Sequence, residues 1–248
     1  MLKQARQSLI LESVNERKYV SLQDLMTLTA SSESTIRADL VELGKSHKLI
    51  RLRGGAQALN SDSFSYELSI ETKMEIQTEA KKAIARYAAS LVKDHSMIYV
   101  DAGTTTYYFC EYLSAVGVKI MTNSVFIAKV LKGKGYQVYI TGGEFKLTTD
   151  AFIGPMTREI LSRFNFDMGF FGCNGVDQNQ GITTPDYEEA VVKKTAMEQC
   201  KTVFVLADHT KFGIKTTVKF HDFDPTMIIT DEIKDPSYSQ LGITEAHS

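Results

Sequence analysis

Proline occurs only 4 times in 248 residues and cysteine 3 times, and no window approaches 18 consecutive apolar residues. A collagen-like or proline-rich low-complexity chain is thereby excluded, and so is a transmembrane helix. Cys110, Cys173 and Cys200 are odd in number and far apart, with no C-x-x-C pair. They are expected to be idle or buried thiols, and neither a metal nor any other cofactor is expected. The first fifteen residues interleave Lys3, Gln4, Arg6, Gln7 and Glu12 with apolar positions, which leaves no uninterrupted apolar core of a secretory signal. A cytoplasmic, folded, soluble protein is expected. What is present is an ordinary globular composition, 43% hydrophobic and 23% charged, sufficient for one or two domains.

Charge is distributed unevenly. Residues 1–57 hold nine basic and six acidic side chains, leaving 19 basic and 24 acidic side chains for the remainder. A basic segment joined to a larger acidic one points to a polyanionic partner for the first part alone. The segment from Asn60 to Tyr66 is polar, is interrupted by Phe64 and Tyr66, and lacks helical periodicity. These shifts divide the chain into a domain at 1–57, a linker at 58–72 and a second domain at 73–248.

Within the first domain Leu2, Ala5, Leu9, Ile10 and Val14 carry helical spacing over about residues 3–16, followed by a short extended piece at Lys18-Tyr19-Val20. Ser21-x-x-Asp24 has the form of a capping box and opens a short second helix with Leu22, Leu25 and Met26 on one face. After a turn at Thr29-Ala-Ser-Ser, Ser32 caps a third helix whose Ile36, Leu40 and Leu43 form a buried stripe running to about Gly44. Such an arrangement is a helix-turn-helix, whose third helix enters the DNA major groove by its N-terminal end. Ser34, Thr35, Arg37 and Ala38 lie off the buried stripe. Arg37 suits a bidentate contact to guanine, and the hydroxyls, including Ser32, suit phosphates. Leu49-Ile-Arg-Leu-Arg53-Gly-Gly55 has period two, placing Arg51 and Arg53 on one strand face opposite Ile50 and Leu52. It reads as a basic wing that turns at Gly54 and Gly55.

Ser32-x-x-Thr35-Ile36-Arg37-x-Asp39-Leu40, followed by Arg51-x-Arg53-Gly54-Gly55-Ala56, resembles the N-terminal signature of the DeoR family of bacterial transcription regulators. Two departures stand out. The family usually has a second arginine where this chain has Ala38, which bears on operator preference, and an apolar residue where it has Ser31, which bears on helix packing.

In the second domain Ala80, Ile84, Tyr87, Ala88 and Leu91 place a long amphipathic helix within residues 73–93. Short apolar runs then alternate with helical patterns. Strands are expected at 97–100, 119–121, 137–141, 166–171, 203–207 and 227–230, and helices at 105–115, 124–132, 155–163 and 185–200. The alternation predicts an α/β fold with a mostly parallel sheet covered on both faces, in which ligands bind beyond the C-terminal ends of the strands. Those ends are the candidate site. Asp101-Ala-Gly103-Thr104-Thr105-Thr106 combines a glycine with hydroxyls and helix-start amides, as a phosphate cradle requires, and is neither a dinucleotide fingerprint nor a P-loop. Thr122-Asn123-Ser124, Gly142-Gly143 and the Asn174 segment end three further strands, and Asp208 and Lys211 stand at a fifth. Lys211 would neutralise phosphate, while Asp101 or Asp208 would accept from sugar hydroxyls. Asp186, Glu188, Glu189, Lys193, Lys194 and Lys201 are arranged on their helix as its dipole favours. They are expected to be mostly solvated, with Lys193 carried as a possible effector contact.

This half resembles the sensor domain of the same family, which is similar in fold to ribose-5-phosphate isomerase and glucosamine-6-phosphate deaminase. The resemblance implies a phosphorylated sugar as effector, double-stranded operator DNA and a second copy of the chain, as a homodimer or tetramer, as partners, and no membrane. Thr183-Thr-Pro-Asp-x-Glu-Glu-Ala190 and Val205-Leu-Ala-Asp-His209 look most like regulators of fructose utilisation, with fructose 1-phosphate as implied effector and repression relieved by it. The rival reading is a sugar-phosphate isomerase or deaminase with an appended DNA-binding module, using Asp101, Asp167, Asp177, Glu188 or Asp208 as acid and base. The N-terminal module favours a regulator with no catalytic residues.

Overall fold

The computed structural model describes residues 2–17, 19–46, 48–52, 54–58 and 70–246, and the chain forms two compact units, residues 1–64 and 65–248. In the first unit the helices are α1 (Lys3–Arg17), α2 (Leu22–Thr29) and α3 (Glu33–Lys45), and the strands are β1 (Tyr19–Ser21), β2 (Ile50–Leu52) and β3 (Gly55–Gln57). Ser21 and Ser32 cap α2 and α3, accepting from the amides of Asp24 and Thr35. Between those helices the chain reverses through Ala30 in the left-handed region, φ 49°. Ile10, Val14, Leu25, Ile36, Leu40 and Leu43 close one core, so the spacing read from the sequence is the spacing that packs. The three strands form an antiparallel sheet in the order β1-β3-β2. Buried Asp39 ties α3 to α1, accepting from Arg6 Nε at 2.5 Å and Gln7 Nε2 at 3.2 Å.

The second unit opens with α4 (Ile70–Glu75) and α5 (Thr78–Ser90). The helix expected within 73–93 is α5, and it begins only at Thr78, apart from α4, because Gln77 adopts φ 52° and a left-handed residue cannot continue an α-helix. Then follow β4 (Met97–Val100), α6 (Thr104–Tyr112), β5 (Lys119–Thr122), α7 (Val125–Gly133), β6 (Gln137–Ile140), β7 (Glu144–Lys146), β8 (Ala151–Ile153) and α8 (Gly154–Leu161). The remainder is β9 (Phe166–Gly172), β10 (Gly175–Asp177), β11 (Gly181–Thr184), α9 (Tyr187–Glu198), β12 (Cys200–Leu206), β13 (Val218–His221), β14 (Ile228–Thr230) and β15 (Thr244–Glu245).

Seven of these strands make one sheet in the order β15-β14-β12-β9-β4-β5-β6, every neighbouring pair parallel. Alternate residues of each strand feed opposite layers. Ile98, Ile120 and Phe170 join Ile84 and Phe109 on one side, while Tyr99, Met121 and Phe171 join Leu161 and Val192 on the other. A β7-β8 hairpin and a three-stranded sheet, β10-β11-β13, stand outside the main sheet and were not anticipated. The chain runs outward through β4, β5 and β6, then returns to the far side of β4 through β9 and continues outward again. The direction therefore reverses between β4 and β9, and there the loops beyond the strand ends part to leave a crevice.

Candidate functional site

The crevice is occupied by a cleft of about 800 Å³, measured out to its open mouth. It draws its walls from the ends of β4, β5, β9 and β12, and from α4, α5, α6 and α9. Of the candidate effector residues, Asp101, Gly103, Thr104, Thr105, Asn123, Asn174, Lys193, Asp208 and Lys211 line it.

The loop after β4 is pinned from three sides. Asn123 Oδ1 accepts from the Tyr99 hydroxyl at 3.0 Å and the Ala102 amide at 3.1 Å, and its Nδ2 donates to the Phe152 carbonyl at 3.1 Å. Asp101 accepts from the Gly172 amide at 3.1 Å and is ion-paired to Lys193 Nζ, both side chains being almost wholly buried. Burial works against the charged form of Lys193, but Asp101 and then Glu189 more than reverse it, holding the ammonium above its ordinary pKa. Glu189 accepts from Thr149 Oγ1 at 2.6 Å and Lys146 Nζ at 2.9 Å. Burial raises its pKa, but Lys193, Thr149 and Lys146 together bring it below the usual carboxylate value. Asp101, Lys193 and Glu189 thus form a chain of alternating charges along the cleft wall, of a kind suited to hydroxyl groups.

A second group of charges surrounds Lys81. Gly103 precedes the first turn of α6, whose leading amides have no partner within the helix, and a Cβ at Gly103 would crowd Thr106 Oγ1 at 3.2 Å. Lys211 makes no ion pair or hydrogen bond through its ammonium with another described residue. Lys81, on α5, is buried (5% exposed) with its ammonium on the Lys73 carbonyl. Burial first, and Lys211 second, lower the Lys81 pKa to about 7. Asp208 is the acidic member; burial raises its pKa, but Lys211, Thr210 and Lys81 outweigh that and hold it below the ordinary value. Lys73 lines the cleft with Lys81, Lys211 and Asp208, and a phosphate dianion would suit these lysines.

Five candidates do not line the cleft. Thr106 Oγ1 donates to the Gly103 carbonyl at 2.9 Å, Thr122 Oγ1 accepts from the Ser124 amide, and Ser124 caps α7. Their hydroxyls are consumed by local backbone. Gly142 accepts from Thr157 Oγ1 at 2.7 Å. At Gly143, with φ 118°, a Cβ would stand 2.2 Å from Thr157 Oγ1, so this glycine serves close packing of α8. Conversely, Lys73, Lys81, Thr149 and Glu189 line the cleft without having been singled out for it. Glu189 is buried rather than solvated, because α9 lays its first turn beneath the β7-β8 connection. The signal for Lys81 was in the sequence: it shares the helical face of Ile84, Ala85 and Ala88, all buried.

Among the described residues one group of potential metal ligands comes together, His209, Asp231 and Glu232. Its carboxylates are already engaged, Asp231 with His209 Nδ1 at 2.6 Å and Glu232 with Lys234 at 2.8 Å.

In the first unit Ser32, Ser34, Arg37 and Ala38 are exposed at the N-terminal half of α3, with Thr35 half-buried. Arg51 is exposed on β2, opposite Ala56 of β3. Arg53 lies outside the described residues, as do residues 59–69 of the expected linker. The Gly54 carbonyl accepts from the Leu22 amide at 2.7 Å. Gly55 is buried, and a Cβ there would lie 2.1 Å from the Val20 carbonyl, so its hydrogen replaces a side chain that β1 could not accommodate.

Residues 6–62 match the DeoR-like helix-turn-helix domain and residues 76–232 the DeoR C terminal sensor domain. The chain belongs to the DeoR family of transcription regulators. It is 36% identical over 236 residues to the uncharacterized HTH-type transcriptional regulator FruR of Bacillus subtilis, covering 93% of this chain and 92% of that one. It is 30% identical to the lactose phosphotransferase system repressor of Streptococcus mutans, covering 98% and 97%. Among solved structures, ribose 5 phosphate isomerase A from Neisseria gonorrhoeae matches with TM-score 0.42 and 15% identity, over 56% of this chain and 55% of that one. This DeoR-family regulator is thus a DNA-binding protein with a helix-turn-helix unit and an α/β sensor unit. Among its described residues no helix is long and apolar enough to cross a membrane.

Proposed function

We propose that this regulator represses a sugar-utilisation operon, and that a sugar monophosphate bound in the cleft relieves the repression. The observation that carries the reading is the set of charged groups lining the cleft. Lys73, Lys81 and Lys211 with the start of α6 favour a phosphate, and Asp101, Lys193 and Glu189 favour hydroxyls. Fructose 1-phosphate is the effector favoured by the segments 183–190 and 205–209. Operator contacts are assigned to Ser32, Ser34, Thr35, Arg37 and Ala38 on α3, and to Arg51, Arg53, Gly54 and Gly55 of the wing. The domains are taken as 1–57 for DNA, 58–72 for the linker and 73–248 for the sensor. A homodimer or tetramer sets the spacing of its recognition helices, and the effector changes that spacing, with a coupling of about 1–3 kcal/mol.

The test is thermal unfolding of the full chain with fructose 1-phosphate, fructose 6-phosphate, ribose 5-phosphate and the free sugars. A ligand at 100 times its Kd adds about 2.7 kcal/mol to apparent stability. Stabilisation by one phosphosugar, without its turnover, is the expected result; indifference to all of them would refute the sensor reading, and turnover would replace it by an enzyme.

A further inference from the structure

The surface of α3 that would face DNA carries an acid as well as a base. Arg37 Nε donates to Glu33 Oε1 at 2.8 Å, and Nη2 lies 2.7 Å from the same oxygen. Both side chains are about half exposed, 47% and 54%. Glu33 is the first residue of α3, one position after the cap Ser32. An acid there suits the helix dipole, and an i,i+4 pair with arginine suits any exposed helix. Those benefits are also available at the far end of the protein surface, whereas here the carboxylate stands among hydroxyls suited to phosphates, where it repels every DNA sequence alike. Its cost in affinity needs a return.

Two features of the geometry supply one. A single oxygen of Glu33 takes both contacts to Arg37, so the guanidinium is anchored before any base is met rather than sweeping freely. The second oxygen, Oε2, makes no hydrogen bond with a described residue and is an acceptor at the groove-facing start of the helix. In the major groove a carboxylate finds its donor on the N4 amino group of cytosine, while arginine finds its two acceptors on guanine.

We propose that Glu33 is an operator-specificity residue: it positions Arg37 for a guanine, accepts from a neighbouring cytosine through Oε2, and penalises DNA that lacks that cytosine. The inference rests on the reading of α3 as the recognition helix.

The experiment uses the full chain and a pool of DNA duplexes with a randomised core. The wild type selects from the pool, and its selected duplex and a scrambled one are then titrated with wild type, Glu33→Ala, Glu33→Gln and Arg37→Ala across a salt series. Glu33→Ala is expected to bind scrambled DNA more tightly than wild type does. Its preference for the selected duplex should fall by about tenfold, the lower end of the discrimination a good base contact provides. Glu33→Gln, which keeps an acceptor oxygen but not the charge, should fall between. A pool selected by Glu33→Ala should lose one cytosine beside the guanine lost by Arg37→Ala. Equal change of selected and scrambled binding, with an unchanged selected sequence, would reduce the pair to surface charge and overturn the proposal. A wild type that enriches no sequence would overturn both the proposal and the recognition-helix reading.

Discussion

Replacing Lys81 by methionine should make the sensor unit more stable while abolishing the proposed binding of a phosphate there. Lys81 is lowered from the ordinary 10.5 to about 7, chiefly by burial. At 1.36 kcal/mol per pH unit that is a folded-state preference for the neutral amine of about 5 kcal/mol. Between pH 7 and 10.5 the unfolded chain holds a proton that the folded chain has shed, so stability rises with pH across this window, and the full penalty stands below pH 7. Methionine has similar length, carries no charge and removes the penalty, but loses the charged hydrogen bond to the Lys73 carbonyl, which keeps the Ile76 amide at 3.3 Å, a cost of about 1–3 kcal/mol. The net gain at pH 6 is about 2–4 kcal/mol. It should vanish or reverse by pH 10, where the wild-type lysine is mostly neutral. Thermal or urea unfolding of both proteins at pH 6 and pH 10 measures it; for a unit of this size each kcal/mol moves Tm by about 2–4 °C. The same melts with a stabilising sugar phosphate should show a shift for wild type and none for the variant. A variant less stable than wild type at pH 6, or a difference independent of pH, would refute the argument that burial of this ammonium is a standing cost kept for binding.

A phosphate dianion beside Lys81 reverses that preference, so effector binding near pH 7.5 should take up protons. Calorimetry in two buffers of different ionisation enthalpy would show it, and identical heats in both would count against it. Asp101→Asn leaves the buried Lys193 without its carboxylate and should destabilise the sensor unit by about 3–5 kcal/mol; a wild-type melting curve would mean the pair is dispensable. Gly55→Ala drives a methyl group into the Val20 carbonyl and should cost the DNA-binding unit about 1–3 kcal/mol or more. Retained operator binding at elevated temperature would contradict that.

Much of the architecture was legible because both periodicities were sustained. The stripe Ile36, Leu40, Leu43 and the serine caps defined α2 and α3, and apolar runs such as Met97–Val100 are what a strand covered on both faces requires. The small sheet β10-β11-β13 and the β7-β8 hairpin escaped because three or four residues hold too few repeats to distinguish a strand from a loop. The break at Gln77 escaped because no glycine, proline or asparagine marks it. At the site, backbone-rich segments were found by their position after strands, but position could not tell a residue that lines the cleft, as Thr105 does, from one whose hydroxyl is spent on its own turn, as at Thr106. Lys81 and Glu189 were passed over since a charged residue on a helix is usually solvated. Their significance lay in sharing a face with buried neighbours, which becomes compelling only when the opposite wall of the cleft is known.

The reversal of the sheet between β4 and β9 has a consequence for the living ribosome. Asp101 leaves the tunnel about a hundred residues ahead of Asp208 and Lys211, and the cleft has no second wall until β12 has paired with β9. The DNA-binding unit, by contrast, is complete within the first 64 residues. Each newly made chain therefore completes its helix-turn-helix unit before its cleft, and a chain cut short before β12 would carry the first without the second.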